Sequence, residues 1–229
     1  MLVRPEGAGI AVYLTRRNAR SRFMPGAFVF PGGAVDEADR DYAHAAKIAP
    51  PAAGAAPELA VAALRELFEE AGILLARDAR GAPIALHPSD LTALRVELAR
   101  GGAFASLLER HAFALDVAAL AYYSNWITPV TESIRFDAHF FIARAPEGQT
   151  AAADANEVHD GTWLKAAAAL AAAERGDLLV RFPTRKHLER LARYDDIEAL
   201  FEHARARTVA AVAPVERADG SFAFDEDDW

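Results

Sequence analysis

The sequence predicts an α/β sandwich of the α+β kind, with a mixed or antiparallel sheet held between helices. Three observations predict it. In GAGIAVYLTRR (7–17), Ile10, Val12 and Leu14 alternate with Ala11 and Tyr13, the period of two that sends one set of side chains to one face of a strand. In NWITPVTESIRFDAHFFIAR (125–144), an incoming strand through Trp126, a turn around Pro129–Ser133 and an outgoing strand with Phe136, Phe140 and Ile142 on one face read as a hairpin. Helical patterns interleave with these strands, and no internal repeat divides the 229 residues.

The remaining elements follow in order. NARSRFMPGAFVFPGG (18–33) places Pro25-Gly26 and Pro31-Gly32-Gly33 around a short aromatic strand, so the chain turns sharply twice. Residues 34–58 hold Pro50-Pro51 and an Ala/Gly/Pro run that cannot sustain a helix throughout, and they read as an inserted loop. AVAALRELFEEAGI (60–73) is an amphipathic helix, and residues 89–113 read as two helices capped at Ser89 or Asp90 and broken at Gly101-Gly102. GTWL (161–164) predicts a short strand or turn before an Ala-rich helix. TRKHLERLARYDDIEALFEHARAR (184–207) predicts two more helices, with Thr184 and Asp195 or Asp196 as N-caps, ahead of an acidic tail.

Composition narrows the function. A hydrophobic fraction of 52% with 25% charged residues is that of a globular protein, not a disordered one. A net charge of -8 and a pI near 5.4 argue against general binding to nucleic-acid backbones, which relies on clustered Lys and Arg. With no cysteine there is neither a disulfide nor a thiolate nucleophile. No long apolar run and no leader pattern is read, so a cytoplasmic location is expected, with neither membrane nor nucleic acid as partner.

The helix at 60–73 carries the chemistry. At about 100° per residue, Leu64, Leu67, Phe68 and Ala71 form one stripe, while Glu66, Glu69 and Glu70 share the opposite face. Like charges at these spacings cost a helix about 0.2–0.5 kcal/mol per pair, so local stability does not explain the cluster. A hard cation does. Mg²⁺ takes oxygen ligands and is usually held by one or two carboxylates together with substrate phosphates.

The run Arg65-Glu66-Leu67-x-Glu69-Glu70-x-Gly72-Ile73 resembles the second half of the Nudix box, G-x5-E-x7-R-E-U-x-E-E-x-G-U, at every fixed position. The first half departs from it. Five residues on from Gly33 stands Asp39 in place of Glu, and 25 residues instead of seven separate it from Arg65. Asp39 is therefore either a replacement for the box glutamate or a solvated loop acid. The resemblance implies a Nudix fold over residues 1–229, with a box insertion around 40–58, a helical insertion around 87–117 and C-terminal helices around 184–207. It also implies hydrolysis of a phosphoanhydride with Mg²⁺, or Mn²⁺, as cofactor. Glu66, Glu69, Glu70 and the Gly33 carbonyl are the implied metal ligands, and Arg65 the residue that orients the glutamates. Glu157, six residues before Trp163, resembles a loop glutamate that some Nudix enzymes bring to the metal; it or a helix glutamate is the general base.

Specificity should lie outside the box. Arg17-Asn18-x3-Arg22-x3-Gly26-x3-Phe30-Pro-Gly-Gly33 resembles the motif that precedes the box in coenzyme A diphosphatases, with Asn18 where that motif has Ser. The split box and the 125–143 stretch resemble the coenzyme A and acyl-coenzyme A diphosphatase branch. Arg17, Arg22, Phe30 and Arg135 are thus the expected substrate-binding residues; Arg135 could equally cap the hairpin with Glu132 or Asp137. Tyr123 and Trp126 are either adenine-stacking or core residues. The expected partner is a small-molecule nucleoside diphosphate derivative; a homodimer is compatible with the sequence, which does not encode the oligomeric state. Diphosphatases for ADP-ribose or NADH, and a non-catalytic nucleotide-binding module of the same fold, are the competing readings.

Overall fold

Two short partners organise the sheet around its long strands. In this computed structural model, which describes residues 1–20, 24–50, 54–154, 158–217, 219 and 221–224, β1 (Leu2–Pro5) and β2 (Ile10–Arg17) run antiparallel with Val3 opposite Val12. The alternation in β2 is real: Tyr13 faces one core, and Ile10, Val12 and Leu14 face the other. β1 was not legible in the sequence, because four residues are too few to show a period. After the turn, β3 (Phe28–Val29) pairs with β2 at Thr15 and Arg16.

The expected loop between residues 34 and 58 contains α1 (Glu37–Ala45), which corrects that reading. The Pro and Ala/Gly run acts only downstream of it, and Ala43 and Ala55 are buried in the first core. The acidic helix is α2 (Pro57–Ala71), started by a proline in its first turn and ended by Gly72 in the left-handed region at φ 69°. A two-residue strand, β4 (Ala76–Arg77), leads to α3 (Pro88–Ala99) and α4 (Phe104–Arg110), and β5 (Ala114–Leu115) closes back on β4. The cap of α3 is His87, whose ring accepts from the Ser89 N–H, rather than Ser89 or Asp90.

The hairpin is β6 (Leu120–Ile127) and β7 (Asp137–Arg144), with a bulge between Tyr122 and Ser124. Phe140 and Ile142 face one core as expected; Phe136 lies outside the strand and is 45% exposed. GTWL belongs to a full eight-residue strand, β8 (Val158–Lys165), paired along β2. The chain then forms α5 (Ala166–Glu174), α6 (Phe182–Leu191) and α7 (Ile197–Ala206). Asp196 caps α7 through the amides of Glu198 and Ala199, whereas α6 begins ahead of Thr184, which is buried within it. β9 (Ala211–Val212) adds a parallel strand to β6, and β10 (Val215–Glu216) pairs with β11 (Phe222–Ala223).

The seven-stranded sheet thus separates two cores. One holds α2, α3 and α4 residues such as Leu64, Phe68, Leu94 and Leu107; the other holds Leu188, Leu191, Leu200 and Phe201 from α6 and α7. Full burial of each such side chain stabilises by about 1.5–3 kcal/mol. β1 is short, so past its end the sheet divides: β3 continues along β2, and β7 along β6. The segment leaving β3 crosses this division, with the Phe30 ring 6.3 Å from that of Phe140.

His187 sits in the second core, fully buried, with Nδ1 2.6 Å from the Pro183 carbonyl oxygen and Nε2 2.6 Å from the Ser124 hydroxyl. Nδ1 facing a carbonyl carries the proton, so Nε2 accepts from Ser124. Burial pushes its pKa down to about 3 from 6.5. Between these values the unfolded chain binds a proton that the folded chain does not. Stability is therefore fully present above the unfolded value and is lost as pH falls through this window, at up to about 1.4 kcal/mol per pH unit. Urea titrations between about pH 7 and 5.5, above most carboxylate titration, should show this slope, and His187→Phe should reduce it, leaving the part contributed by the buried Met1 amino group, which burial lowers to about 5, and by His203, lowered from its ordinary value.

Candidate active site

Helix α2 packs against the sheet through its apolar stripe, yet its acidic face is not solvated. Arg65, Glu66 and Glu70 are 7%, 9% and 7% exposed. Local spacing cannot reveal this, because the segment that covers the face comes from the other side of the insertion. Residues 31–39 lie over the helix: the Gly32 N–H donates to Glu70 Oε2 at 3.0 Å, and the Ala34 carbonyl accepts from Arg65 at 2.9 Å.

Arg65 organises the cluster. Nε and Nη2 hold the two oxygens of Asp39, each at 2.9 Å, in a planar two-pronged pair. Nη1 donates to Glu66 Oε1 at 2.7 Å and to Glu69 Oε2 at 2.8 Å. With the Ala34 carbonyl, these bonds match the five N–H donors of a guanidinium. Burial opposes the charge, but the bonds to Asp39 and the attraction of Glu66, Glu69 and Asp39 outweigh it and raise the pKa above the ordinary arginine value. All five donors of Arg65 are thus committed to protein oxygens.

The same geometry removes one of the two readings of Asp39. It is 2% exposed, so it is not a solvated loop acid. It sits third in α1, where its Oδ2 also accepts from the Asp36 N–H at 2.9 Å. The 18 additional residues therefore leave the loop half and the helix half of the motif in contact, since the insertion leaves and returns at the edge of the cluster.

Gly33 shows why the loop must be glycine here. A Cβ at this position would lie 2.4–2.7 Å from the Glu66 carboxylate atoms, closer than any side chain tolerates. The backbone is brought against a carboxylate, which is the arrangement a backbone carbonyl needs to share a cation with it. Carboxylate and carbonyl oxygens form a hard donor set that fits Mg²⁺ or Mn²⁺. Among the described residues, the acidic side chains do not converge as a ready group of three: Glu66 and Glu69 reach Arg65, and Glu70 reaches Gly32.

The other expected residues divide. Arg17 ends β2 opposite Val158, its N–H bonded to the Ala27 carbonyl, so it stands beside the start of β8. Arg22 and Glu157 lie outside the described residues. Phe30 is a correction: it is 7% exposed, with its ring edge against Phe140 and His187, because the strand it leaves turns that side chain into the second core. Arg135 is exposed and its Nε donates to the Thr128 carbonyl at 3.2 Å, so it braces the hairpin turn through a backbone partner rather than Glu132 or Asp137. Tyr123 and Trp126 are core residues, 0% and 3% exposed.

Two contributors escaped the sequence. The Gly32 amide could not be singled out from the turn that contains it. Arg95, on α3, donates to the Glu69 carbonyl at the end of α2 through Nε at 2.8 Å and Nη2 at 2.6 Å. One signal pointed toward it: the last turn of α2 has no basic residue of its own, so the negative end of the helix needs a cation from elsewhere.

Comparison with known proteins agrees with this geometry. The NUDT19 Nudix domain model matches residues 54–191, more than half of the chain. The crystal structure of a NUDIX hydrolase from Alicyclobacillus acidocaldarius superposes with a TM-score of 0.78 at 30% identity, covering 88% of this chain and 92% of that one. Acyl-coenzyme A diphosphatase NUDT19 of Homo sapiens is 27% identical over 249 residues, and that of Gallus gallus 31% over 175 residues, covering 90% and 56% of this chain. The chain spans 66% of the human protein and 46% of the chicken one. With a buried Arg65–carboxylate cluster under a Gly-Gly loop, and a family match over the helix that carries it, the chain belongs to the Nudix hydrolases, in the family defined by the NUDT19 Nudix domain.

Proposed function

We propose that the chain, acting as one Nudix domain, hydrolyses the phosphoanhydride of coenzyme A or acyl-coenzyme A, giving 3′,5′-ADP and (acyl-)4′-phosphopantetheine. The observation that carries the hydrolytic reading is the close approach of Gly33 to Glu66 beside Glu69 and Glu70, all braced by one arginine. A divalent cation held there would neutralise phosphate charge and activate water. Glu66, Glu69, Glu70 and the Gly33 carbonyl would hold it; Arg65 and Asp39 keep the glutamates aimed. Glu157 or one of the helix glutamates takes the proton from the attacking water, and the phosphate leaves in line. Coenzyme A is favoured as substrate by the activity for which the human and chicken relatives are named and by Arg17 and Arg22, which precede Gly32-Gly33 in the sequence. Of the described helices, none is long and apolar enough to cross a membrane.

A substrate panel with mass identification of products tests this. Losing charge-assisted contacts to the ribose 3′-phosphate costs about 1.5–3 kcal/mol. Dephospho-coenzyme A should therefore be poorer than coenzyme A by roughly tenfold to a hundredfold in kcat/KM. Arg22→Ala should erase most of that difference, and acyl-coenzyme A should react with its thioester intact. Equal hydrolysis of ADP-ribose or NADH would move the assignment to a general nucleoside diphosphate diphosphatase. Unchanged ligand in the presence of Mg²⁺ would leave a binding module.

A further inference from the structure

The end of α2 is held by groups that lie outside the Nudix motif. A helix leaves its last carbonyls without intrahelical partners; the last bond along α2 runs from the Gly72 N–H to Phe68 O at 2.9 Å, and the carbonyls of Glu69, Glu70 and Ala71 find partners outside the helix. Glu70 O accepts from Asp154 N–H at 3.1 Å, and Ala71 O from Ala152 N–H at 2.9 Å. Glu69 O accepts from Arg95, through Nε at 2.8 Å and Nη2 at 2.6 Å. The same guanidinium donates from Nη1 to the Ala152 carbonyl at 2.7 Å. One half-buried side chain therefore ties three separate pieces together: the helical insertion on which it stands, the last turn of α2, and residues 152–154. Gly72 permits it, since a Cβ there would lie 3.2 Å from Arg95 Nη1 and would occupy a left-handed φ of 69°.

The residues whose carbonyls are gripped are those whose carboxylates face the cluster. Glu69 and Glu70 point one way to Arg65 and the Gly32 amide, while their peptide groups are fixed by Arg95 and Asp154 N–H. A helix terminus frays easily, and a small rotation of this turn would swing both carboxylates away from Gly33. We propose that Arg95 is a positioning residue for the cation site: it fixes the rotation of the last turn of α2 and the seat of residues 152–154 upon it. The insertion carrying α3 then supports the chemistry, whatever the substrate. The inference rests on the reading of Glu66, Glu69 and Glu70 as metal ligands.

The test uses the full chain and Mn²⁺ alone as probe. Mn²⁺ affinity is read by electron paramagnetic resonance without substrate, beside steady-state kinetics, for the wild type and for Arg95→Ala, Arg95→Lys and Gly72→Ala. Outer partners of metal ligands typically contribute tenfold to a hundredfold to affinity or activity. Arg95→Ala should weaken Mn²⁺ binding about tenfold or more and lower kcat with KM for the substrate little changed. Arg95→Lys, which keeps the charge without the fork, should fall between. Gly72→Ala should resemble Arg95→Ala by displacing the guanidinium. Amide hydrogen exchange should accelerate at Ala152 and Asp154 in Arg95→Ala, with the middle of α2 protected. Wild-type Mn²⁺ affinity and kcat in a folded Arg95→Ala, with only the melting temperature lowered, would overturn the proposal and leave the Nudix reaction standing. Weakened Mn²⁺ binding in a protein that hydrolyses no member of the substrate panel would uphold it and remove the reaction. A wild type that binds no Mn²⁺ would overturn both.

Discussion

Glu70→Gln should lose at least about 10²-fold in turnover, the scale of removing one electrostatic stabiliser from an active site, and Glu69→Gln should fall by a similar factor. The amide keeps the shape of the side chain. In Glu70→Gln its oxygen can still accept the Gly32 N–H that Glu70 Oε2 accepts now, so the loop stays seated and only the charge is lost. In Glu69→Gln the pairing with Arg65 Nη1 weakens, at a side chain 34% exposed, where solvent moderates the loss. Thermal melts should place both variants within a few degrees of wild type, a change of less than about 1 kcal/mol. Initial rates at saturating Mg²⁺ decide the matter: activity within a few-fold of wild type in both variants removes these carboxylates from the cation site.

Arg65→Ala should have the larger effect on the fold. It leaves Asp39, Glu66 and Glu69 facing one another with no cation between them, and two of the three are under 10% exposed. Breaking a buried pair by removing one partner typically destabilises by about 3–5 kcal/mol, because the remaining charge keeps its desolvation cost. Arg65→Lys should recover only part of this. Three ammonium donors cannot replace five guanidinium bonds, and the planar pair with Asp39 is lost. Asp39→Glu lengthens the partner by one methylene and restores the residue found in the Nudix motif. Urea denaturation ranks the three; a Lys variant as stable as wild type would show that the fork geometry carries no weight.

The helical half of the motif was legible because it is local. Arg65, Glu66, Glu69 and Glu70 fall within two turns of one helix, so spacing alone fixes their common face. The strand alternation of β2 was legible for the same reason, as were the α3–α4 break and a cap at Asp195 or Asp196, of which the structure uses Asp196. What misled was local reasoning about exposure. A face with three glutamates reads as solvated until a segment 26 residues upstream in sequence covers it. A Pro- and Ala-rich stretch reads as loop, although its first residues form α1 against α2, because Asp36 and Asp39 start a helix before the prolines can oppose one. Phe30 had the spacing of a substrate residue and is instead a core one, since only its packing against Phe140 and His187 of α6 decides which way its ring turns.

By itself, then, the sequence determined the chemistry on offer: oxygen donors on one helical face, a glycine pair ahead of them, and a fold of helices around a mixed sheet. The tertiary structure decided which groups hold those donors in place. Asp39 became the partner of Arg65, Gly33 the residue against Glu66, and Arg95 the clamp on the last turn. The reason is physical. Intrahelical spacing repeats every few residues and is written in the chain, whereas the partner of a buried charge or an orphan carbonyl is whichever distant group the packing brings within 3 Å, as it does for the Glu69 carbonyl and Arg95.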